Sequence, residues 1–239
     1  MGLHEEATPV PIILVPGFWL GAWAWDDVAA VLRTDGHDVT ALTLPGLESA
    51  DTDRSKITLS DHVDAICDAI EAAGQPVVLA VHSGAGVSGY AASERLPGQI
   101  AAMIYIDSAP ATGAINPGFH AVEMPLPPWE ELADDGIRLM SDEHQEIFRQ
   151  RAIPEPGAAV REAPVLTNER RRGVRSIVVC TSNTSEEMKS MIDKGYPWLA
   201  GLAELRDVSY EDLPTHHWPM WSRPVELAAI IGAAAHRGS

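Results

Sequence analysis

The sequence predicts an α/β fold with a doubly wound, mostly parallel sheet and a small helical cap inserted after the sixth strand. Short apolar runs alternate with helical patterns along the chain. The runs are apolar on both faces, which is typical of parallel strands that helices cover on both sides. With 239 residues, 46% of them hydrophobic, the chain can build one sizeable core.

The predicted elements follow one another in this order. Strands are predicted at 10–15, 37–44, 76–81, 101–107 and 175–181, with a weaker one at 205–209. Helices are predicted at 23–33, 60–73 and 84–96, with a last helix from Pro224. Strands that alternate with helices in this way indicate βαβ units and a parallel sheet.

One long segment interrupts the alternation. Residues 111–172 hold clustered prolines, a charged helical pattern near 134–151 and no strand-like run. A stretch of this length inside a compact domain is usually an insertion or lid rather than a bare loop. We therefore expect a core made of 1–110 and 173–239, with 111–172 as a helical cap.

Composition and charge exclude several classes of partner. Lys and Arg number 17 and Asp and Glu 34, which gives a net charge of −17. This charge repels phosphate backbones and anionic lipid headgroups, so we expect no nucleic acid and no membrane as partners. The start of the sequence lacks the basic and apolar regions of a secretion signal, which leads us to expect a cytoplasmic protein.

No metal or cofactor is implied by the sequence motifs. Cys67 and Cys180 lie far apart and form no metal-ligand spacing. We also find no glycine-rich phosphate loop and no dinucleotide fingerprint. The expected partner is a small-molecule substrate, and a homodimer is possible.

The stretch His-Ser-Gly-Ala-Gly at 82–86 stands where a predicted strand ends and a helix begins. Small residues allow a turn sharp enough to push the Ser83 hydroxyl out of the sheet. The N–H of Gly84, at the N-terminus of the helix, would face negative charge that develops on an attacked carbonyl. The alternative is a small-residue turn with a buried serine.

Two further stretches fit a site at Ser83. The loop at 14–23, with sequence LVPGFWLGAW, can bring the N–H of Phe18 next to that of Gly84. The stretch at 212–224 follows the last predicted strand and offers His216 and His217. A neighbouring imidazole is what a serine hydroxyl needs in order to act as a nucleophile.

These three stretches, in this order, resemble the α/β-hydrolase superfamily, and specifically its small esterase and hydroxynitrile-lyase-like branch. The branch carries an HGxxxGAW oxyanion loop, a GHSxGG nucleophile elbow and a late GHxPxxxxP histidine loop. The resemblance implies that Ser83 is the nucleophile and that Phe18 and Gly84 form the oxyanion hole. It implies His217 as the general base, because His216 occupies the glycine position of the motif.

The sequence departs from these motifs at three positions. Pro16 replaces the histidine of the oxyanion loop, and Ala85 takes the glycine position two residues after the serine. Val81 takes the glycine position two residues before the serine, where its side chain should crowd the elbow. The backbone donors survive all three changes.

The acid of the triad is open between two places. Most of the family takes it from the turn after the strand at 175–181, where this chain has Asn183, Glu186 and Glu187 but no Asp. Asp107 ends the preceding strand, and some relatives take the acid from there. We predict Asp107, with Glu186 or Glu187 as the alternative, while Asp107 could also serve only a turn.

The apolar residues near the motifs suggest a partly hydrophobic substrate pocket, with Trp19, Trp129 and Trp218 as its candidate walls. The resemblance implies hydrolysis of a carboxylic ester or lactone through an acyl-enzyme. One alternative is a lyase of the hydroxynitrile-lyase type; its pocket lysine is missing between Asp212 and Pro224, although Lys189 or Lys194 could reach in. A ligand-binding protein that kept the fold and lost turnover is the other alternative.

Overall fold

The computed structural model describes residues 10–132 and 136–236, apart from the side chain of Arg138. Its main sheet has six strands in the order β2-β1-β3-β4-β7-β8, and every neighbouring pair is parallel. The first part of the chain forms β1 (Ile12–Val15), α1 (Asp26–Thr34), β2 (Val39–Ala41), α2 (Leu59–Ala72), β3 (Val77–His82), α3 (Gly86–Arg95) and β4 (Ile100–Ile106). The sequence therefore predicts the fold class and these elements, with shifts of a few residues at their ends.

Residues 111–172, which we call the cap segment, contain β5 (Glu123–Met124), α4 (Asp142–Arg151), β6 (Glu155–Pro156) and α5 (Gly157–Arg161). The strands β5 and β6 pair antiparallel in a sheet of their own, separate from the main sheet. These two short strands are not predicted, because two-residue runs have no periodicity to detect. The segment follows β4, the fourth strand, rather than the sixth strand of the prediction.

The rest of the chain completes the sheet. It forms β7 (Ser176–Cys180), α6 (Ser185–Asp193), α7 (Ala200–Glu204), β8 (Val208–Asp212), α8 (Pro219–Ser222) and α9 (Pro224–His236). The helices α6 and α7 are not predicted from the sequence. Thr184 and Glu187 form a capping box that starts α6, a local signal that the prediction overlooked.

Two large apolar clusters cover the two faces of the sheet. Alternate residues of β1 and β3 belong to opposite clusters, so that Ile12 and Val78 face one and Ile13 and Val77 face the other. This alternation is the period of a strand, with both faces buried. No helix among residues 10–132 and 136–236 is long and apolar enough to cross a membrane.

Candidate active site

Ser83 lies where β3 ends, in a turn of 3-10 helix that leads into α3. Its φ of 51° is in the left-handed region, which is rare and costs about 1–3 kcal/mol for a residue other than glycine. A β-carbon at Gly17 would come within 2.9 Å of the Ser83 β-carbon, and one at Gly84 within 2.6 Å of the Phe18 ring. The glycines are thus what allows the loop after β1 to pack directly on the elbow.

The Ser83 carbonyl is fixed by the strand next to β3. The Ser108 hydroxyl, just after β4, donates a hydrogen bond of 2.6 Å to this carbonyl. A β-carbon at Gly86 would collide with the Ser108 hydroxyl and the Ala109 carbonyl, so α3 can approach this strand only with glycine there. The sequence analysis did not identify Ser108 as part of the site.

His217 connects Ser83 to Asp107. Its Nε2 lies 2.7 Å from Ser83 Oγ, and its Nδ1 lies 2.5 Å from Asp107 Oδ2. Because a carboxylate can only accept, the proton of the neutral ring belongs on Nδ1, and Nε2 is left to accept from the serine hydroxyl. The contacts predicted for His217 and Asp107 are therefore both present in the structure.

Asp107 is held by a second partner besides the histidine. The Ser182 hydroxyl and backbone N–H donate to its two oxygens at 2.6 and 3.1 Å. Burial would raise the pKa of Asp107, but the hydrogen bonds from His217 and Ser182 and the charge of His217 outweigh it and hold this pKa well below its usual range. Asp107 therefore remains ionised beside the imidazole at all moderately acidic and higher pH values.

The other carboxyls considered from sequence serve a helix or lie exposed. Glu187 accepts from the N–H and hydroxyl of Thr184 at 2.8 and 3.0 Å and so caps α6. Glu186 is exposed in the first turn of the same helix. Asn183 lines a cleft of about 340 Å³ beside Asp107 and His217.

His216 and His82 support the loop that carries His217. The Trp218 N–H donates to His216 Nδ1 at 3.1 Å, and burial lowers the pKa of His216 to about 4. His82 Nε2–H donates to the His217 carbonyl at 2.7 Å, and burial lowers the pKa of His82 to about 3. Both rings therefore stay neutral at physiological pH, and their hydrogen bonds hold the backbone of this loop in place. The sequence analysis did not predict this role for His82.

A cleft of about 260 Å³ opens at Ser83. Its walls are mostly apolar and come from the loop after β1, α3, the residues after β4 and one exposed aromatic residue before α7: Phe18, Gly84, Val87, Asp107, Ser108, Ala109, Ala111, Ile115 and Trp198. Trp198 also borders the larger cleft on the Asp107 side. This exposed tryptophan was not identified from the sequence.

The three tryptophans predicted for the pocket line neither of these two clefts. Trp218 is 2% exposed and packs edge-on against Phe148 in the core. Trp129 also packs on Phe148, with the Arg149 guanidinium over its ring. The Trp19 indole N–H donates to the Met124 carbonyl of the cap segment at 3.0 Å. Trp218 is thus buried in the core, while the rings of Trp19 and Trp129 are partly buried against it, which the position along the chain cannot reveal.

A sequence profile described as the alpha/beta hydrolase family matches residues 12–230, nearly the whole described chain. The chain belongs to the alpha/beta hydrolase family. Among similar proteins, Esterase PIR7B of Oryza sativa subsp. japonica is 38% identical over 102 residues, which cover 41% of this chain and 38% of PIR7B. The match thus spans about two fifths of that relative's length.

Two other similar proteins match along almost their full length. Methylesterase 7 of Arabidopsis thaliana is 24% identical, over 92% of this chain and 94% of its own. The crystal structure of tomato Methylketone Synthase I complexed with 2-tridecanone has a TM-score of 0.73 at 20% identity and covers 97% of this chain and 99% of that one. At this identity the structural likeness supports the fold alone.

Proposed function

We propose that this alpha/beta hydrolase is a serine hydrolase that cleaves a carboxylic ester or lactone of a small, partly hydrophobic substrate. The observation that carries the proposal is the continuous chain of hydrogen bonds from Ser83 Oγ through His217 to Asp107. The side chains of His217 and Asp107 are only 18% and 12% exposed, so water screens their interaction little. Such a chain activates a serine hydroxyl that is otherwise a weak nucleophile.

In the proposed reaction, Ser83 Oγ attacks the ester carbonyl while His217 Nε2 takes its proton. Asp107 stabilises the imidazolium that forms, and the N–H groups of Phe18 and Gly84 bind the oxyanion. His217 then returns the proton to the departing alcohol, which leaves an acyl group on Ser83. Water, activated by the same imidazole, releases the acid and restores the serine.

The cleft at Ser83 supports an uncharged substrate. Its walls include Phe18, Val87, Ile115 and Trp198. Among the residues that the structure describes, its only charged member is Asp107, which is engaged by His217. The net charge of −17 disfavours anionic substrates further. Names of similar proteins point the same way, since they include methylesterases and a methyl jasmonate esterase of Vitis vinifera.

Two alternatives receive less support from the structure. A lyase of the hydroxynitrile-lyase type would need a lysine in the pocket, yet Lys189 extends over the Tyr210 ring at 4.9 Å and neither it nor Lys194 borders the clefts described above. A binding protein without turnover would have no need for the ionised Asp107 that completes the hydrogen-bond chain from Ser83 through His217.

The proposal is tested by labelling with a fluorophosphonate probe and by hydrolysis of p-nitrophenyl esters. We expect the probe to modify Ser83, and Ser83→Ala to lower kcat by about 10,000-fold or more. Ser93→Ala is the matched control, because Ser93 is a buried serine of α3 whose hydroxyl donates to the Tyr90 carbonyl within the same helix. Unlabelled Ser83, or full turnover in Ser83→Ala, would exclude the proposed function.

A further inference from the structure

Trp19 follows the proposed oxyanion donor Phe18 and is held by the cap segment through three hydrogen bonds. Its N–H donates to Glu155 Oε2 at 3.2 Å and its indole N–H to the Met124 carbonyl at 3.0 Å. Its carbonyl accepts from the Ile153 N–H at 3.0 Å. Its φ of 66° is a strained value for a bulky residue, which persists only when the surroundings impose it.

Two of the three partners come from one rung of the small sheet. Met124 of β5 and Glu155 of β6 stand opposite each other in the antiparallel pair. The rung therefore offers a backbone carbonyl and a side-chain carboxyl to the same tryptophan. Because Trp19 adjoins Phe18, the small sheet fixes the backbone that aims the Phe18 N–H.

The Glu155 carboxyl is buried among polar groups from several elements. His62 of α2 has Nδ1 3.9 Å from Glu155 Oε1, and its Nε2–H donates to the Pro45 carbonyl at 2.8 Å. Arg54, in the loop before α2, is the cation that faces Glu155, but its guanidinium is bound to Glu123 of β5 and to the carbonyls of Ser49, Ala50 and Thr52. Glu155 thus has no ion-pair partner of its own in the described structure.

A cavity of about 10 Å³ joins this carboxyl to the oxyanion loop. Its lining includes Glu155 and His62 together with Gly17, Phe18 and Gly84. The carboxyl is therefore a neighbour of both backbone segments that would bind the oxyanion. An ionised carboxylate at this cavity would act on negative charge that develops at the loop.

Burial raises the pKa of Glu155 to about 8, against the opposing effects of the Trp19 N–H and the Arg54 charge. Burial likewise lowers the pKa of His62, so both side chains are uncharged near neutral pH. In either form Glu155 can accept the Trp19 N–H. Only the ionised form adds negative charge beside the oxyanion loop.

We propose that Glu155 is a positioning residue that holds the oxyanion loop through Trp19 and supports turnover in its uncharged form. Ionisation of Glu155 then lowers kcat, because a carboxylate beside the loop repels the oxyanion. This inference rests on the proposed function, since it requires an oxyanion at Phe18 and Gly84.

The test is the pH dependence of kcat for a p-nitrophenyl ester between about pH 6 and 9.5. We expect the wild type to lose activity as the pH rises through the Glu155 pKa of about 8. Glu155→Gln keeps an oxygen for Trp19 but cannot ionise, so this alkaline loss should disappear. Glu155→Leu removes the acceptor and should lower kcat by about 10–100-fold with less effect on KM.

Glu162→Gln is the matched control, because Glu162 of the cap segment also accepts a backbone N–H, that of Leu59 at 2.9 Å. It should keep the wild-type pH profile. An alkaline loss that persists unchanged in Glu155→Gln would overturn the inference, even if Glu155→Leu does not fold. Fluorophosphonate labelling separates the two proposals. If Ser83 is labelled but the alkaline loss persists in Glu155→Gln, only the role of Glu155 is excluded. If the wild type is neither labelled nor active, both proposals are excluded.

Discussion

Asp107 and Ser83 share an unusual backbone conformation. Their φ values of 42° and 51° both lie in the left-handed region, and each residue directly follows a strand of the parallel sheet. This strain is accepted at two neighbouring strand ends that meet at His217. Strain of this kind concentrates where the surrounding fold imposes a functional geometry.

The hydrogen bonds of Asp107 lead to a graded prediction at the same scale. Asp107→Asn should lower kcat by up to about 10,000-fold, because the amide cannot stabilise the imidazolium and favours the wrong tautomer. Ser182→Ala removes one donor to the carboxylate and should cost about 10-fold. Glu186→Gln should leave kcat unchanged. Steady-state kinetics check all three, and a larger loss in Glu186→Gln than in Asp107→Asn would contradict the assignment.

At the scale of elements, β3 and α3 accommodate Val81, which stands where the elbow motif has glycine. Val81 is fully buried, and a β-carbon at Gly89 would lie 2.5 Å from its Cγ1. The expected crowding by Val81 is thus relieved by Gly89, six residues after Ser83 on α3. A missing side chain on the helix makes room for the extra one on the strand.

This complementarity predicts that Gly89→Ala destabilises the protein. Alanine improves helix propensity by up to about 1 kcal/mol, but overpacking against the rigid Val81 should cost about 1–3 kcal/mol. The double variant Val81→Ala/Gly89→Ala should recover most of the loss. Gly173→Ala is the control, because nothing lies within 4 Å of a β-carbon there. Urea unfolding measures these differences, and additive effects of the two substitutions would contradict the packing argument.

At the scale of the whole molecule, buried ionisable groups change the free energy of unfolding with pH in opposite directions. His82 and His216 have pKa values lowered by burial to about 3 and 4, so stability falls as the pH drops below the unfolded value of 6.5. Glu155 has a raised pKa of about 8, so its contribution falls as the pH rises from 4.5 to 8. These histidines, together with His37 and His62, whose pKa values burial also lowers, outweigh the glutamate below pH 6.5, and Glu155 dominates between pH 6.5 and 8.

We therefore expect the free energy of unfolding to be highest near pH 6.5. It should fall by roughly 1–3 kcal/mol toward pH 8. Glu155→Gln should flatten this alkaline decline and steepen the acid one between pH 4.5 and 6.5, where Glu155 opposes the histidines. Urea unfolding followed by tryptophan fluorescence at a series of pH values measures both limbs. A maximum above pH 8, or an unchanged alkaline decline in Glu155→Gln, would show that Glu155 does not titrate as described.

The sequence alone determined the parallel sheet, because apolar runs buried on both faces carry their own signature. It also pointed to Ser83 and His217, which stand in local motifs, and to Asp107 or Glu186 or Glu187 as the acid, since the ends of neighbouring parallel strands share one edge of the sheet. The structure brings Ser83, His217 and Asp107 into contact, and their catalytic roles stay predictions. The division into core and cap, the cytoplasmic location and a homodimer stay predictions.

Only the tertiary structure decided the contacts between distant parts of the chain. Glu155 meets Trp19 across 136 residues and Ser182 meets Asp107 across 75, and no local pattern marks such pairs. The tryptophans predicted for the pocket lie elsewhere, while Trp198 borders it, because burial depends on which surfaces meet when the elements pack. Periodicity records the face that a residue occupies on its own element, whereas the partner on that face is set by the whole fold.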